Sequence, residues 1–436
     1  MPGSPGAGHR GRPSGGRALG LAVLALSLAA TVACTQRAEA HRQLYRRPAT
    51  GQPGGSPAGP AGLALVPAAN VGGVGVTDPV TATATSAVLD TVTLTDAQGN
   101  QVAGAFDATR HRWQATAALA YNKRYTLTAD ATGADGKRLT QASPFTTVKP
   151  ANLTMPYLRA NSGLQLADRS TYGVGQPVVV GFDEKIPDRA AAERALEVVT
   201  EPHVDGAWHW FSDTEVHWRP REYWQPGTTV TINANVFGKN FGNGLYGQRN
   251  VAASFTIGPS RIAIADDNTH HIQAFVDGQL VRDIPTAMGL HQTVAGTNGG
   301  AIDLRTHSGV HVVLGNEHVT HMTSASFGLT GPAGYDEQVY WTTHISYSGE
   351  YVHAAPWSVA QQGNSDASHG CLNVNTDNAI WFYNTFGPGD IVDVRNTGLT
   401  LDATDGLGDW GLSWDDWVKG SALPAAPRVA HDVDMN

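Results

Sequence analysis

Between about Leu65 and Ile257 the chain is a succession of short alternating apolar and polar runs, each ended by glycine, asparagine or aspartate. A period of two puts successive side chains on opposite faces of a strand, so such a chain must build sheets with one face buried. Val92 and Leu94 lead into the turn Ala97-Gln98-Gly99-Asn100, and Tyr125, Leu127 and Ala129 lead towards Asp135-Gly136. These runs predict an antiparallel sandwich over 65–149. Val178, Val180 and Phe182, then Val230, Ile232, Ala234 and Val236, then Phe255 and Ile257 predict a second one over 150–258. One short helix is predicted there from Asp188 to Leu196, where the aspartate can cap an alanine-rich stretch. Trp208, Trp210, Trp218 and Trp224 fall in the same region at strand spacing. A sandwich core or an interdomain contact is the more frequent use of such a cluster, and a sugar-stacking face the rarer one.

Length and charge narrow the class. At 436 residues, and about 150 residues per domain, there is material for about three cores. Lys plus Arg number 29 against 38 Asp plus Glu, a formal charge of −9, so the basic footprint that drives nucleic-acid binding is missing. With 41% hydrophobic and 15% charged residues the composition is not that of a disordered chain.

The N-terminus reads as an export signal. Arg10, Arg12 and Arg17 precede an uncharged apolar run over 18–33, the pattern of a secretory leader and short for a membrane span. Thr31-Val32-Ala33-Cys34 resembles the bacterial lipobox, in which the cysteine is lipidated and becomes the mature N-terminus; Ala38-Glu39-Ala40 offers a competing cleavage site. Removing 1–33 as the signal peptide takes away three arginines and no acid, leaving 26 basic against 38 acidic residues, a net of −12. Arg37, Arg42, Arg46 and Arg47 make the next segment basic, suited to anionic headgroups or simply to solvent. A Gly-, Pro-, Ser- and Ala-rich stretch after Pro48 completes a flexible linker over 34–64. The expected location is the cell envelope, at the outer face of the cytoplasmic membrane, held by a lipid on Cys34.

Past Pro259 histidines accumulate, and chemistry is expected there. Strands at Ile262 and Ile264, at Ala274 and Val276 before the Asp277-Gly278 turn, and at 391–394, with one helix over 377–386, make 259–396 a mainly β domain. His270 and His271 read as surface residues. The remainder, 397–436, carries Trp410, Trp414 and Trp417, a spacing expected to form one face of a short helix packing back on that domain.

Two stretches carry the chemistry. Ser368-His369-Gly370-Cys371-Leu372-Asn373 follows His353, in Tyr351-Val352-His353-Ala354-Ala355-Pro356-Trp357, by eighteen residues. A thiol with a pKa near 8.5 is a slow nucleophile at neutral pH, and an adjacent imidazole supplies the missing activation. Gly370 allows a tight turn, so that amides around Cys371 can face a developing oxyanion. His369 can shape the pocket, and Asn373 can hold the loop through side-chain to backbone bonds. A lone cysteine is also often a small buried hydrophobe. Zinc fits poorly, because one thiol and a His-x-Cys spacing do not match common ligand sets, and no metal is expected.

The span from His353 to Cys371 resembles the catalytic signature of the L,D-transpeptidases of the YkuD type. Ile345-Ser346-Tyr347-Ser348-Gly349, Gly334-Tyr335, Phe182-Asp183-Glu184-Lys185-Ile186 and Leu245-Tyr246-Gly247-Gln248 extend the likeness over about 173–397. The order of lipoprotein signal, two Ig-like sandwiches and catalytic domain is that of the family's actinobacterial branch. The resemblance implies that Cys371 attacks the bond between diaminopimelate and the terminal D-alanine of a peptidoglycan tetrapeptide stem. His353 would be the base, oriented by the backbone carbonyl of Ala354. The amides of Gly370 and Cys371, helped by the Tyr335 hydroxyl, would form the oxyanion hole, with His369 lining the donor site. Tyr335, Ala354, Ser368, Asn373 and Trp357 are assigned to substrate binding. A second stem would then take the acyl group, giving a 3→3 cross-link without any cofactor; carbapenems would acylate the same cysteine. The segments 288–303 and 322–334 would set acceptor preference. Two other readings stay open on the residues: a carboxypeptidase or endopeptidase in which water is the acceptor, and a wall-binding scaffold with an inert cysteine. Oligomeric state is not readable.

Overall fold

The computed structural model describes residues 60–297 and 299–424. The signal segment, Cys34 and nearly all of the linker lie outside the described residues. No helix among the described residues is long and apolar enough to cross a membrane.

The first sandwich faces a four-stranded sheet, in the order Gly62–Val66, Thr81–Thr85, Arg112–Ala115, Gly104–Phe106, against a three-stranded one of Ala87–Asp96, Arg124–Gly133 and Arg138–Thr146. Along Arg124–Gly133 alternate residues, Tyr125, Leu127, Ala129 and Ala131 among them, are buried. The period-two pattern is therefore the core pattern. Gly136 at φ +76° closes the hairpin that follows.

The second sandwich pairs a five-stranded sheet, Leu164–Gln165, Pro156–Asn161, Val178–Phe182, Glu215–Pro220, Gly206–Trp210, with a four-stranded one, Ser170–Tyr172, Val251–Ile257, Thr229–Ala234, Leu196–Glu201. Its helix, Arg189–Ala195, starts where the Asp188 carboxylate accepts the Ala191 amide proton at 2.9 Å. The four tryptophans are buried in its core. All five residues of Val178–Phe182 are buried, more than one sandwich core can cover. The same apolar cluster also takes in Val312, Leu314, Ile391 and Leu407 from later in the chain. At this contact a side chain on Gly173 would collide with the backbone of Gly389 and Asp390.

The third region holds a five-stranded sheet, Gln279–Pro285, His271–Val276, Arg261–Asp266, Ile391–Arg395, Gly309–Val312, and a four-stranded sheet, Gly315–Thr323, Asp336–His344, Tyr351–Ala354, Leu372–Val374. The helix Thr376–Thr385 packs beneath the second sheet and is capped by the Asn375 side chain. A small hairpin, Thr293–Ala295 with Ala301–Asp303, flanks them.

The tail departs from expectation. Trp410 lies in a 3-10 turn, Gly408–Gly411, separate from the four-residue helix Trp414–Trp417, so the three indoles do not share one helical face. They converge on the second sandwich, where the buried Arg219 guanidinium sits 4.5 Å from the Trp410 and Trp417 rings and 5.5 Å from Trp414. Trp417 Nε1 donates to the Ala207 carbonyl, and Arg219 Nη2 donates to that of Leu412. The tail also bonds back to the third region: the Ser308 amide donates to the Leu399 carbonyl, the Leu401 amide to that of Ser308, and the Ser348 amide to Asp405 Oδ1 at 2.7 Å.

Candidate active site

Tyr351–Ala354 and Leu372–Val374 run parallel, with Val352 opposite Leu372 and His353 opposite Asn373. Parallel neighbours need a crossover. Here it runs through the turn Pro356–Ser358 and ends on the Ser368–Cys371 turn, so that Cys371 enters the sheet next to the strand carrying His353.

The turn is held from inside. Ser368 Oγ donates to the Cys371 carbonyl at 2.6 Å and accepts from the Gly370 amide at 3.1 Å; Thr306 Oγ1 donates to the Gly370 carbonyl at 2.8 Å. Gly370 has φ +129°, a conformation that side chains disfavour. Its amide is engaged by Ser368, so to serve the oxyanion hole expected of it Gly370 would have to exchange that bond for the substrate oxygen. Cys371 and Tyr335 are the other candidates.

His353 and Cys371 line one pocket of about 150 Å³ together with Met322, Tyr335, Trp357 and His369. His353 Nδ1 lies 3.0 Å from the Ala354 carbonyl. A carbonyl can only accept, so the proton sits on Nδ1 and Nε2 keeps its lone pair. Burial pushes the His353 pKa down to about 4, against the pull of that hydrogen bond. Burial pushes the Cys371 thiol up to about 12, the Glu350 charge adding to it and the Tyr351 backbone amide opposing it. At neutral pH the pair is thus a thiol and a free imidazole rather than a standing ion pair, and the base must take the proton as sulfur attacks. Sγ rests 3.7 Å from the Gly349 carbonyl.

The Tyr335 and His369 rings are 5.1 Å apart. Burial, then Cys371, raises the Tyr335 pKa, which keeps its hydroxyl a donor. Tyr335 is placed by Ser324, whose Oγ accepts the Tyr335 amide proton at 2.8 Å and donates to the Leu329 carbonyl at 2.7 Å. The 322–334 segment is therefore a structured hairpin tip with two 3-10 turns. Trp357, 57% exposed, stands at the mouth with its ring 6.1 Å from His353. Asn373 differs from expectation: its amide donates to the Ser358 hydroxyl at 3.1 Å, a side-chain partner rather than backbone.

Several residues were not legible beforehand. Glu337 and Val339 reach the pocket from the neighbouring hairpin, beside Met322; their alternation on the strand Asp336–His344, with Tyr335 just before it, is the available signal. Glu350 accepts from the His307 amide at 2.8 Å and from His307 Nδ1 at 2.9 Å just behind Gly370. Among the described residues one cluster has metal-ligating geometry, Asp267, His291 and Asp366, and it includes neither His353 nor Cys371.

Residues 260–394 match the family profile described as the L,D-transpeptidase catalytic domain, and 72–240 match that of a bacterial Ig domain. The chain is 44% identical to L,D-transpeptidase 2 of Mycobacterium tuberculosis (strain CDC 1551 / Oshkosh) over 356 residues, 80% of this chain and 83% of the relative. It belongs to the L,D-transpeptidase family. L,D-transpeptidase 5 of Mycobacterium tuberculosis (strain ATCC 25618 / H37Rv) is 38% identical over 340 residues, 76% of this chain and 71% of that one. His353 and Cys371 both fall within the residues that match the catalytic-domain profile.

Proposed function

We propose that this chain is a peptidoglycan L,D-transpeptidase with Cys371 as nucleophile and His353 as base, forming 3→3 cross-links in the cell envelope. The observation that carries the reading is the His353 Nδ1 bond to the Ala354 carbonyl, which leaves Nε2 free to accept a proton in the pocket that holds Cys371. Nε2 takes the Sγ proton as sulfur adds to the carbonyl carbon between diaminopimelate and D-alanine. The tetrahedral oxyanion is met by the Cys371 amide and the Tyr335 hydroxyl. Collapse breaks the C–N bond, D-alanine leaves as the amine after receiving the proton from His353, and a thioester remains. The side-chain amine of a second stem then adds, gives up a proton to His353, and expels the thiol, which regains it. Atoms balance without a cofactor.

Exposed Trp357 at the mouth suits the stem backbone, and the 288–303 and 322–334 segments would set acceptor preference. Anchoring through a lipid on Cys34 places the enzyme at the membrane's outer face; loss of radiolabelled lipid in Cys34→Ala is the expected check.

The deciding experiment incubates the protein with a disaccharide-tetrapeptide and follows products by mass spectrometry beside Cys371→Ala. A dimer short of one D-alanine, absent in the variant, is expected. Tripeptide alone would make water the acceptor, and no Cys371-dependent product would return weight to the scaffold. Intact mass after carbapenem exposure should show one adduct, lost in Cys371→Ala.

A further inference from the structure

Asp267, His291 and Asp366 come from three separate loops, and one ligand atom of each lies within 4.8 Å of the others. His291 Nε2 is 2.7 Å from Asp267 Oδ2 and 3.7 Å from Asp366 Oδ2. His270 joins them, with Nδ1 3.3 Å from Asp366 Oδ1 and a side chain only 21% exposed, contrary to its expected surface position. Asp267 Oδ1, on a residue 6% exposed, has no hydrogen-bond partner, and His270 Nδ1 makes no hydrogen bond despite its approach to Asp366. Unpaired buried groups and adjoining carboxylates are costly in a protein interior, and a cation would offset both. Two carboxylates with one or two imidazoles is a donor set that suits zinc and other first-row divalent ions better than calcium or magnesium.

The position of the cluster gives it a consequence. Asp366 stands two residues before Ser368, and its Oδ1 accepts from the Met288 amide at 3.3 Å. The Met288 carbonyl accepts from the amides of Ala367 and Ser368, and the Leu290 amide donates to the Ser368 carbonyl. Gly289 donates to Thr306, which in turn holds Gly370. His291 therefore ends the segment that braces the nucleophile's turn, and Asp366 begins the turn itself.

We propose that Asp267, His291 and Asp366, with His270 as a fourth donor, form a divalent transition-metal site that clips the segment 288–291 to the loop carrying Cys371. Metal binding at this site stands whatever reaction the cysteine performs, and only its effect on the turn rests on the transpeptidase reading.

The test uses the full chain with Cys34→Ala and Cys371→Ala, which removes competing thiols, stripped by chelator and titrated calorimetrically with zinc chloride. One ion per chain is expected, and His291→Gln and Asp366→Asn should each weaken binding by at least about tenfold. Amide hydrogen exchange at 288–290 and 367–368 should slow on adding zinc only where both donors remain. His291 is half-exposed, so His291→Gln is expected to keep the parent's thermal midpoint, which separates lost ligation from lost folding. Absence of binding would overturn the proposal. So would zinc affinity unmoved by both substitutions, or an equal loss in His203→Gln, whose imidazole is exposed far from the cluster in sequence.

Discussion

His353 and His217 are both 4% exposed, yet they are driven to opposite charge states. His353 faces a backbone carbonyl, and burial takes its pKa down to about 4. For His217 burial works in the same direction. It is outweighed by Asp409, 2.8 Å from Nδ1, and Glu215, 3.3 Å from Nε2, so its pKa rises to about 9. Equal desolvation therefore decides nothing alone; a neutral acceptor leaves an imidazole free to work as a base, whereas a carboxylate holds its proton. The free base serves the pocket. The charged one ties the second sandwich to the tail, beside the Arg219 guanidinium enclosed by the three tail tryptophans.

The largest expected effect tests the neutral member. His353→Asn should lower kcat/KM for D-alanine release by about 10²- to 10⁴-fold with the urea midpoint unchanged; a large stability loss with residual activity would break the contrast. Next, Asp409→Asn leaves His217 and Arg219 without their buried carboxylate, and should cost about 3–5 kcal/mol in equilibrium unfolding.

The pH dependence separates the two histidines by sign. A raised folded pKa gives stability that is complete below the unfolded value near 6.5 and is lost as pH climbs through about 9, so the His217 contribution fades over that window. A lowered one gives stability that is complete above 6.5 and is lost as pH falls through about 4, the His353 window. Denaturant titrations from acid to pH 9.5 should show both slopes, with Asp409→Asn flattening only the alkaline one. The acid limb of kcat/KM should accordingly fall near pH 4, and a limb at 6.5 would mean that His353 is solvated when it works. The smallest effect is expected of Glu215→Gln. Its carboxylate is partly exposed and shared with Arg159, so the loss should be about 1 kcal/mol, with the alkaline window narrowed rather than abolished.

What the sequence by itself determined was local or motif-borne. The alternation at Tyr125, Leu127 and Ala129 is the buried face of a strand, and Asp188 caps the helix it was read to start, because period and capping are settled by neighbours a few residues away. The His353 and Cys371 stretches pointed to the family for the same reason, being short and dense in chemistry. What only the tertiary structure decided was which groups meet. Trp410, Trp414 and Trp417 do not lie on a single helix and gather around an arginine nearly two hundred residues upstream, as Asp409 gathers to His217. The Gly370 amide turned to Ser368, and Asp267, His291 and Asp366 came together from three loops. Charge state, cavity and ligation depend on desolvation and on partners brought from afar, and no window along the chain contains either.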